Sequence, residues 1–406
     1  MKVVDKKRST VLLSLLIFSV MLGRYSLDIG FSLKPYMIFI AFVLVFSLHR
    51  FYLHKLYTYE IIMFLFYLYY SSTAIIAKFP NASFRMILGV IIIFGSYFMF
   101  KFILDGYSIN EIQSSIASAG ILFNLISIIL YLIGIVSLGF HLVGNQIEVY
   151  GLLMDRNSPR LIGLLSDPNL FVFYNMLFVC FYLHNLEGLK NKVGLMLAIT
   201  ACLLTFSRGA FLALFFVGII YVLTSKPKVL FKLSFITLLI TPIIFYIVEN
   251  WFSIDLVSII LERANSTTSD GGSGRLDLWS RGLGYMLDSP FWGIGAFNFP
   301  QYNLYFYGKE MYMHNTFLEV LTESGLMGIM LYTIFCLSIM FTVLKKSLYK
   351  KYPYLLTTLV GYFILMMTLS VIINEAFFLY LAILWKCLKM ENIDNKNNKN
   401  NKPIIK

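Results

Sequence analysis

The sequence is short of charge. Only 13% of its 406 residues are Asp, Glu, Lys or Arg, about half the share of a soluble domain, while 59% are apolar and the mean hydropathy is +0.77. A water-soluble globule is excluded. Cysteine is scarce too, and Cys180, Cys202, Cys336 and Cys387 all fall within or at the ends of apolar runs. That leaves neither a loop disulfide framework nor a CxxC metal pair, and the four read as small buried apolar residues. There is no Asp-x-Asp, no His-x-x-x-His and no Gly-rich phosphate loop, so no metal site, no ATP use and no cofactor is expected. The net charge of +12 comes with no nucleic-acid motif, so no nucleic-acid partner is expected either.

What is present is a series of apolar runs bounded by charge, Pro or Asn. They predict helices near 9–23, 33–48, 57–77, 86–104, 114–138, 168–184, 193–207, 209–224, 233–250, 315–343, 354–373 and 375–389. The expected fold is all-α: a polytopic membrane protein of about 12 transmembrane helices with a large outer loop between helices 9 and 10. The basic N-terminus (Lys2, Lys6, Lys7, Arg8) precedes an apolar run without a small-x-small cleavage site, so this run reads as a retained first helix. With both termini placed in the cytoplasm, the inner segments hold 22 cations and the outer ones 11, in line with the positive-inside rule. Two outer loops stand out by length, 139–167 and 251–314. The chain divides into N-terminal helices 1–138, a central region 139–330 carrying both loops, C-terminal helices 331–390, and a polar, low-complexity tail 391–406 expected to be disordered and cytoplasmic.

The cations are also sorted by type. Of the 22 inner ones, 20 are Lys; of the 11 outer ones, eight are Arg. Arginine presents a planar fork of donors that matches phosphate oxygens and keeps its charge when partly desolvated. The outer face therefore reads as built for an anion such as a phosphate or diphosphate, the alternative being pairing with outer carboxylates or lipid headgroups. Arg208, in Ser207-Arg208-Gly209, is held at a tight turn between two apolar runs, where a charge is costly without a purpose. Arg275 falls in the first turn of a predicted amphipathic helix capped by Ser273, with Leu276, Trp279, Leu283 and Met286 as its packing face and Asp288-Ser289-Pro290 as its end. Arg281 lies about 240° around that helix from Arg275, too far for both to grip one phosphate.

Aromatics from Phe297 to Tyr312 suit a headgroup belt, and their faces would also suit sugar rings. His314 follows, where the loop re-enters the membrane, and Asn315, Glu319 and Glu323 succeed it at four-residue steps along one helical face. A histidine there is either a general base or a structural residue.

Three tracts in order, Gly274-Arg275-x-x-x-Trp279, Pro290-x-x-Gly293-x-Gly295-x-x-x-Phe299 and His314-Asn315-x-x-Leu318-x-x-x-x-Glu323-x-Gly325-Leu326-x-Gly328, resemble the signature of bacterial O-antigen polymerases and ligases, the Wzy and WaaL superfamily. The Ser207-Arg208-Gly209 turn and Arg160-x-x-Gly163-x-x-x-Asp167-Pro168-Asn169 match as well, so the resemblance covers roughly residues 156–330. It implies a multispanning, GT-C-like glycosyltransferase that needs no metal and takes a glycan linked through diphosphate to undecaprenol at the outer face of the bacterial inner membrane. Arg208 and Arg275 would hold the diphosphate and His314 would activate the acceptor hydroxyl. Arg156, Arg160, Arg281, Asn315, Glu319 and Glu323 are further substrate-binding candidates. The expected partners are the lipid-linked donor and acceptor, the bilayer, a chain-length regulator and a flippase. A polymerase of O-antigen or capsule is favoured; a ligase acting on lipid A core is the alternative, and a lipid-linked oligosaccharide flippase is the reading from another class.

Overall fold

The computed structural model describes residues 9–224 and 274–400. The expected helix 233–250, the basic segment 1–8, Arg263, the Ser273 cap and residues 401–406 lie outside the described residues. Each of the other eleven expected apolar runs corresponds to a helix: α1 Thr10–Val20, α2 Pro35–Ser47, α3 Thr58–Ser72, α4 Pro80–Asp105, α5 Ile109–Ser137, α6 Pro168–His184, α7 Leu189–Leu204 and α8 Arg208–Thr224, then, beyond the central loop, α11 Thr316–Lys345, α12 Pro353–Met366 and α13 Glu375–Asn400. Two helices between them, α9 Arg275–Asp288 and α10 Phe299–Tyr307, belong to that loop. Among the described residues, four segments are long and apolar enough to cross a membrane by length and composition: Thr58–Ile76, Pro80–Asp105, Ile109–Ser137 and Thr316–Lys345.

The protein is membrane-embedded, and its packing shows why helices are the solution: in hydrocarbon every backbone N–H and C=O must be satisfied within the segment. Helix α6 is buried on all sides from Phe171 to Tyr182, and α13 is buried from Ala376 to Leu388; together they form the centre of the bundle. Around them α3 packs on α11, α1 on α5, α4 on α13, and α12 on α6 and α8. Outward-facing Phe42, Val45, Phe46, Leu68, Phe215 and Leu337 supply an apolar belt. All four cysteines are buried and unbonded to one another.

The structure departs from the sequence expectations in three places. Lys101, counted above among the inner-loop cations, lies inside α4 and is fully buried, with its Nζ 2.5 Å from Glu60. The tail is helical through Asn400 rather than disordered from Glu391, because Lys351 pairs with Glu391 at 3.3 Å and Asp394 at 2.6 Å and anchors the first turns. In α9 the buried residues are Leu278 and Gly282, while Leu276 and Leu283 face out. Gly282 sits against Met313, so the helix turns its small residue to the bundle and leaves the leucines at the surface.

Loop 139–167 is not irregular chain. It folds into an antiparallel sheet of three short strands, Ile147–Val149, Leu152–Asp155 and Ser158–Leu161, with the middle strand paired to both others. Its second hairpin turns at Arg156-Asn157, both at positive φ (52° and 55°), as a two-residue turn matched to strand twist requires.

Candidate active site

Four helices begin around one cavity of about 430 Å³. Ser166, Asp167 and Asn169 line it from the start of α6, Phe206, Arg208 and Gly209 from the start of α8, Arg275 from α9, and His314 from just before α11. Each start is shaped by its local sequence. Asp167 caps α6, its Oδ1 accepting from the amides of Asn169 (2.7 Å) and Leu170 (2.9 Å), and Pro168 fits the first helical position because it has no N–H to leave unsatisfied. Ser207 caps α8: its Oγ accepts from the Ala210 amide at 3.2 Å and donates to Asn169 Oδ1 at 2.5 Å, which fastens the second helix start to the first. Asn315 caps α11 by accepting from the Phe317 and Leu318 amides, both at 3.1 Å. The caps occupy the amides named, but the positive ends of the helix dipoles still converge, which favours an anion before any side-chain charge is counted.

The sheet closes the remaining side, bringing Gln146, Glu148, Leu153, Asp155, Arg156 and Arg160 to the cavity. Two of these arginine contacts are built into the walls. Arg160 donates from Nε to the Thr205 carbonyl (2.9 Å) and from Nη1 to Asp155 (3.0 Å), tying the sheet to the turn that presents Arg208. Arg24 pairs with Glu148 at 2.5 Å and donates to the Tyr150 carbonyl at 2.9 Å, holding the rim. Acids are therefore present, but Glu148 and Asp155 are engaged by arginines and Asp167 by helix amides.

Arg275 and His314 feel one another. Burial is the largest influence on the His314 imidazole and pushes its pKa below the usual histidine value; the Arg275 cation pushes it further down and Asp167 opposes both. An imidazole so placed is neutral near pH 7 and can accept a proton. Burial also weighs against the Arg275 charge, Asp167 supports it and Arg208 opposes it, so the two guanidinium groups act on the same space. Arginine remains a cation under such pressure.

The cavity thus gathers Arg156, Arg160, Arg208, Arg275 and His314, five of the residues singled out in the sequence. Arg281, Asn315, Glu319 and Glu323 do not line it. Arg281 stacks 3.5 Å over the Tyr307 ring and donates to Asn303 at 3.2 Å. Asn315 is the cap of α11. Glu319 and Glu323 point into the bundle and are buried. Glu323 accepts the amides of Phe297 (2.9 Å) and Phe299 (3.0 Å) and the Tyr70 hydroxyl.

Glu323 belongs to a crossing of two backbones that explains the glycines of the motifs. Ile294 N–H donates to the Thr322 carbonyl (3.0 Å), Gly295 N–H to the Glu323 carbonyl (2.9 Å) and Leu326 N–H to the Pro290 carbonyl (2.8 Å). Gly293 and Gly325 lie where the chains touch, each at positive φ and with no room for a Cβ; at Gly325 the backbone leaves helical geometry and α11 kinks. Trp279 adds a bond from Nε1 to the Met313 carbonyl at 3.0 Å, fixing the residue just before His314. These motif residues position the site without touching it.

Residues 193–333 match the family model Wzy_C, described as O-antigen ligase. The match supports the O-antigen ligase and polymerase superfamily. It spans about a third of the chain, from within α7 into α11, and contains Arg208, Arg275 and His314. A search of curated proteins finds no match. The Wzy_C match implies a glycosyl-transferring enzyme in general terms. Sequence reasoning missed the sheet, the rim pair Arg24–Glu148 and the cap at Asp167. Asp167-Pro168-Asn169 did carry a signal, since Asp followed by Pro is a helix-start signature.

Proposed function

We propose that the protein is a polysaccharide polymerase that joins undecaprenyl-diphosphate-linked repeat units at the outer face of the inner membrane. The observation that carries this reading is the meeting of Arg208, Arg275 and His314 at one cavity where four helices start. In the reaction an acceptor sugar hydroxyl attacks the anomeric carbon of the donor and forms the new C–O bond. The bond from that carbon to the diphosphate oxygen breaks, and its electron pair leaves on undecaprenyl diphosphate. The hydroxyl proton passes to the His314 imidazole. Arg208, Arg275 and the positive ends of the helix dipoles stabilise charge as it builds on the leaving group, which is the term on which most catalysis of this kind rests. The energy is already in the donor, and no metal or cofactor is required.

The ligase is kept as a second reading because the matching family model carries that description. Both enzymes need the same arginine clamp and base, and they differ in the shape of the acceptor groove. We further place both termini in the cytoplasm with twelve spans, on the 22-to-11 cation split. A reporter fused after Gly144 should be active only outside; an inward Gly144 would sink the topology and the outer-face reaction with it.

Gene deletion separates the readings. Loss of a polymerase should leave a surface glycan of one repeat unit. Long chains stranded on undecaprenyl diphosphate would favour the ligase, and donor trapped at the cytoplasmic face would favour a flippase. Purified protein supplied with synthetic lipid-linked repeat units should lengthen them directly.

A further inference from the structure

A second cavity, of about 490 Å³, opens at the same end of the bundle between α2, α4 and the start of α13. The shared end is fixed by covalent continuity: Arg24, which holds the rim of the first cavity, leads through the hairpin of Leu27–Asp28 and Ser32–Leu33 to Lys34 at the second. Its wall is apolar, with Met37, Leu88, Ile92, Ile93 and Ile373, and its mouth carries Asp28, Lys34, Arg85 and Glu375.

The four charges at the mouth are not equivalent. Lys34 and Glu375 close on each other at 2.6 Å. Asp28 accepts from the Gly30 amide at 3.1 Å and so holds its own hairpin. Arg85, in contrast, has no hydrogen-bond or ion-pair partner among the described residues. It stands in the second turn of α4 above Leu88, Ile92 and Ile93, which follow at helical spacing and give about 12 Å of apolar wall below the guanidinium. Neighbouring Phe84 and Ile91 are about 60% exposed (60% and 61%), so this side of α4 faces lipid and the groove opens sideways into the bilayer.

An arginine without a partner among the described residues, near the start of a membrane-embedded helix and above an apolar wall, is complementary to one kind of molecule, a lipid with a phosphate head. We propose that this groove seats the acceptor, a second lipid-diphosphate-linked glycan, with Arg85 on its phosphate and its chain against Leu88 and Ile92. The assignment rests on the polymerase reading, since a polymerase joins two lipid-linked substrates. Spacing is compatible with transfer between the cavities: the Tyr174 hydroxyl of α6 faces Glu375 at the groove, and Tyr174 lies seven residues, roughly 10 Å, along the helix from Asp167 at the first cavity.

The test is lipid counting by native mass spectrometry on the full chain, with undecaprenyl diphosphate lacking glycan as the probe. Wild type should take up two equivalents. Arg85→Ala and Leu88→Trp should each weaken one of them at least about tenfold, as expected for a lost charge-assisted contact or a filled groove, and Arg208→Ala should weaken the other. Arg85→Lys should recover part of the loss. One equivalent in wild type, or two retained by Arg85→Ala, would overturn the proposal, as would displacement of the second equivalent by an equal concentration of phosphatidylglycerol. Two equivalents together with failed elongation of lipid-linked repeats would overturn the acceptor assignment through the polymerase reading and not through the groove.

Discussion

The protein gathers charge in two regions at opposite ends of the bundle, and it treats them differently. At one end, Glu60 accepts from Lys101 at 2.5 Å, from the Tyr97 hydroxyl at 2.7 Å and from the Tyr57 amide at 2.7 Å. Nearby, Asp105 draws in Lys389 (2.6 Å), Lys386 (3.5 Å) and the Tyr52 hydroxyl (2.6 Å). Burial by Trp385 and its surroundings drives His54 down to about 4, so this histidine stays neutral. Both carboxylates are held by lysines and by tyrosine hydroxyls, and the Glu60–Lys101 pair is sealed from solvent. At the other end, four arginines face three carboxylates around the cavity, one of which, Glu148, is also held by Arg24. Helix N-termini add positive potential where the inner cluster has none to spare. A closed network stabilises one arrangement of helices, whereas a cavity left with net positive potential stabilises whatever anion enters it.

The comparison breaks most decisively at the outer arginines. Arg208→Ala and Arg275→Ala should each abolish glycan transfer, a loss of at least about 10²–10³-fold, because each removes a contact that strengthens as charge develops on the leaving diphosphate. Membrane insertion and thermal stability should stay near wild type. Lysine at either position should rescue poorly, since a point charge cannot reproduce the fork. Alanine variants that keep most activity would make the outer cluster one more structural network.

The inner pair should give the mirror image. Lys101→Ala leaves Glu60 buried without its cation, a defect that typically costs about 3–5 kcal/mol. The variant should melt well below wild type in detergent, yet the molecules that remain folded should transfer glycan at the normal rate. Replacing both partners, Glu60→Gln with Lys101→Met, should recover much of the stability because no charge is left to satisfy. A specific activity that falls in step with Arg208→Ala would mean that the inner cluster takes part in the reaction.

These expectations also show what the sequence disclosed and what it withheld. The helices were legible because a membrane demands long apolar runs, and the arginines that line the cavity stood out because arginine is sorted away from lysine along the chain. Helical periodicity sets Arg281 apart from Arg275, and in the structure Arg281 stacks on Tyr307 while Arg275 lines the cavity. The sheet of loop 139–167 was not legible, since strands of three or four residues leave no reliable alternation. Asn315, Glu319 and Glu323 share one face by their four-residue spacing after His314, but that face turns into the bundle, where Glu323 satisfies amides of a loop more than twenty residues away. Gly293 and Gly325 were visible as motif residues, but a crossing of two backbones is a long-range fact that no local pattern encodes.

His314→Ala should reduce turnover by at least about 10²-fold while leaving donor binding largely intact, because it removes a base and not an anion contact. Donor binding can be followed by the same lipid counting used for the groove. A variant that binds donor poorly and turns over normally would recast His314 as a positioning group.

The smallest effect is a displacement of pH dependence, and it ties His314 to the arginines. In the free protein, burial and the Arg275 cation hold the imidazole below the ordinary histidine value near 6.5. The base is the neutral form, so activity is full above that lowered pKa and falls as pH drops through it. Donor binding puts a diphosphate beside Arg275, and its negative charge offsets the cation that opposes protonation of His314. The pKa in the complex must then rise. The acidic limb of kcat, which reports the complex, should lie at higher pH than the acidic limb of kcat/KM for the donor, which reports the free protein. Arg275→Ala should raise the His314 pKa without any donor, as read by NMR titration of histidine-labelled protein, because it deletes one of the two causes of depression. Burial remains, so the value should stop short of an exposed histidine. Limbs that coincide, or an Arg275→Ala titration that moves down, would show that the imidazole and the diphosphate site do not share one field.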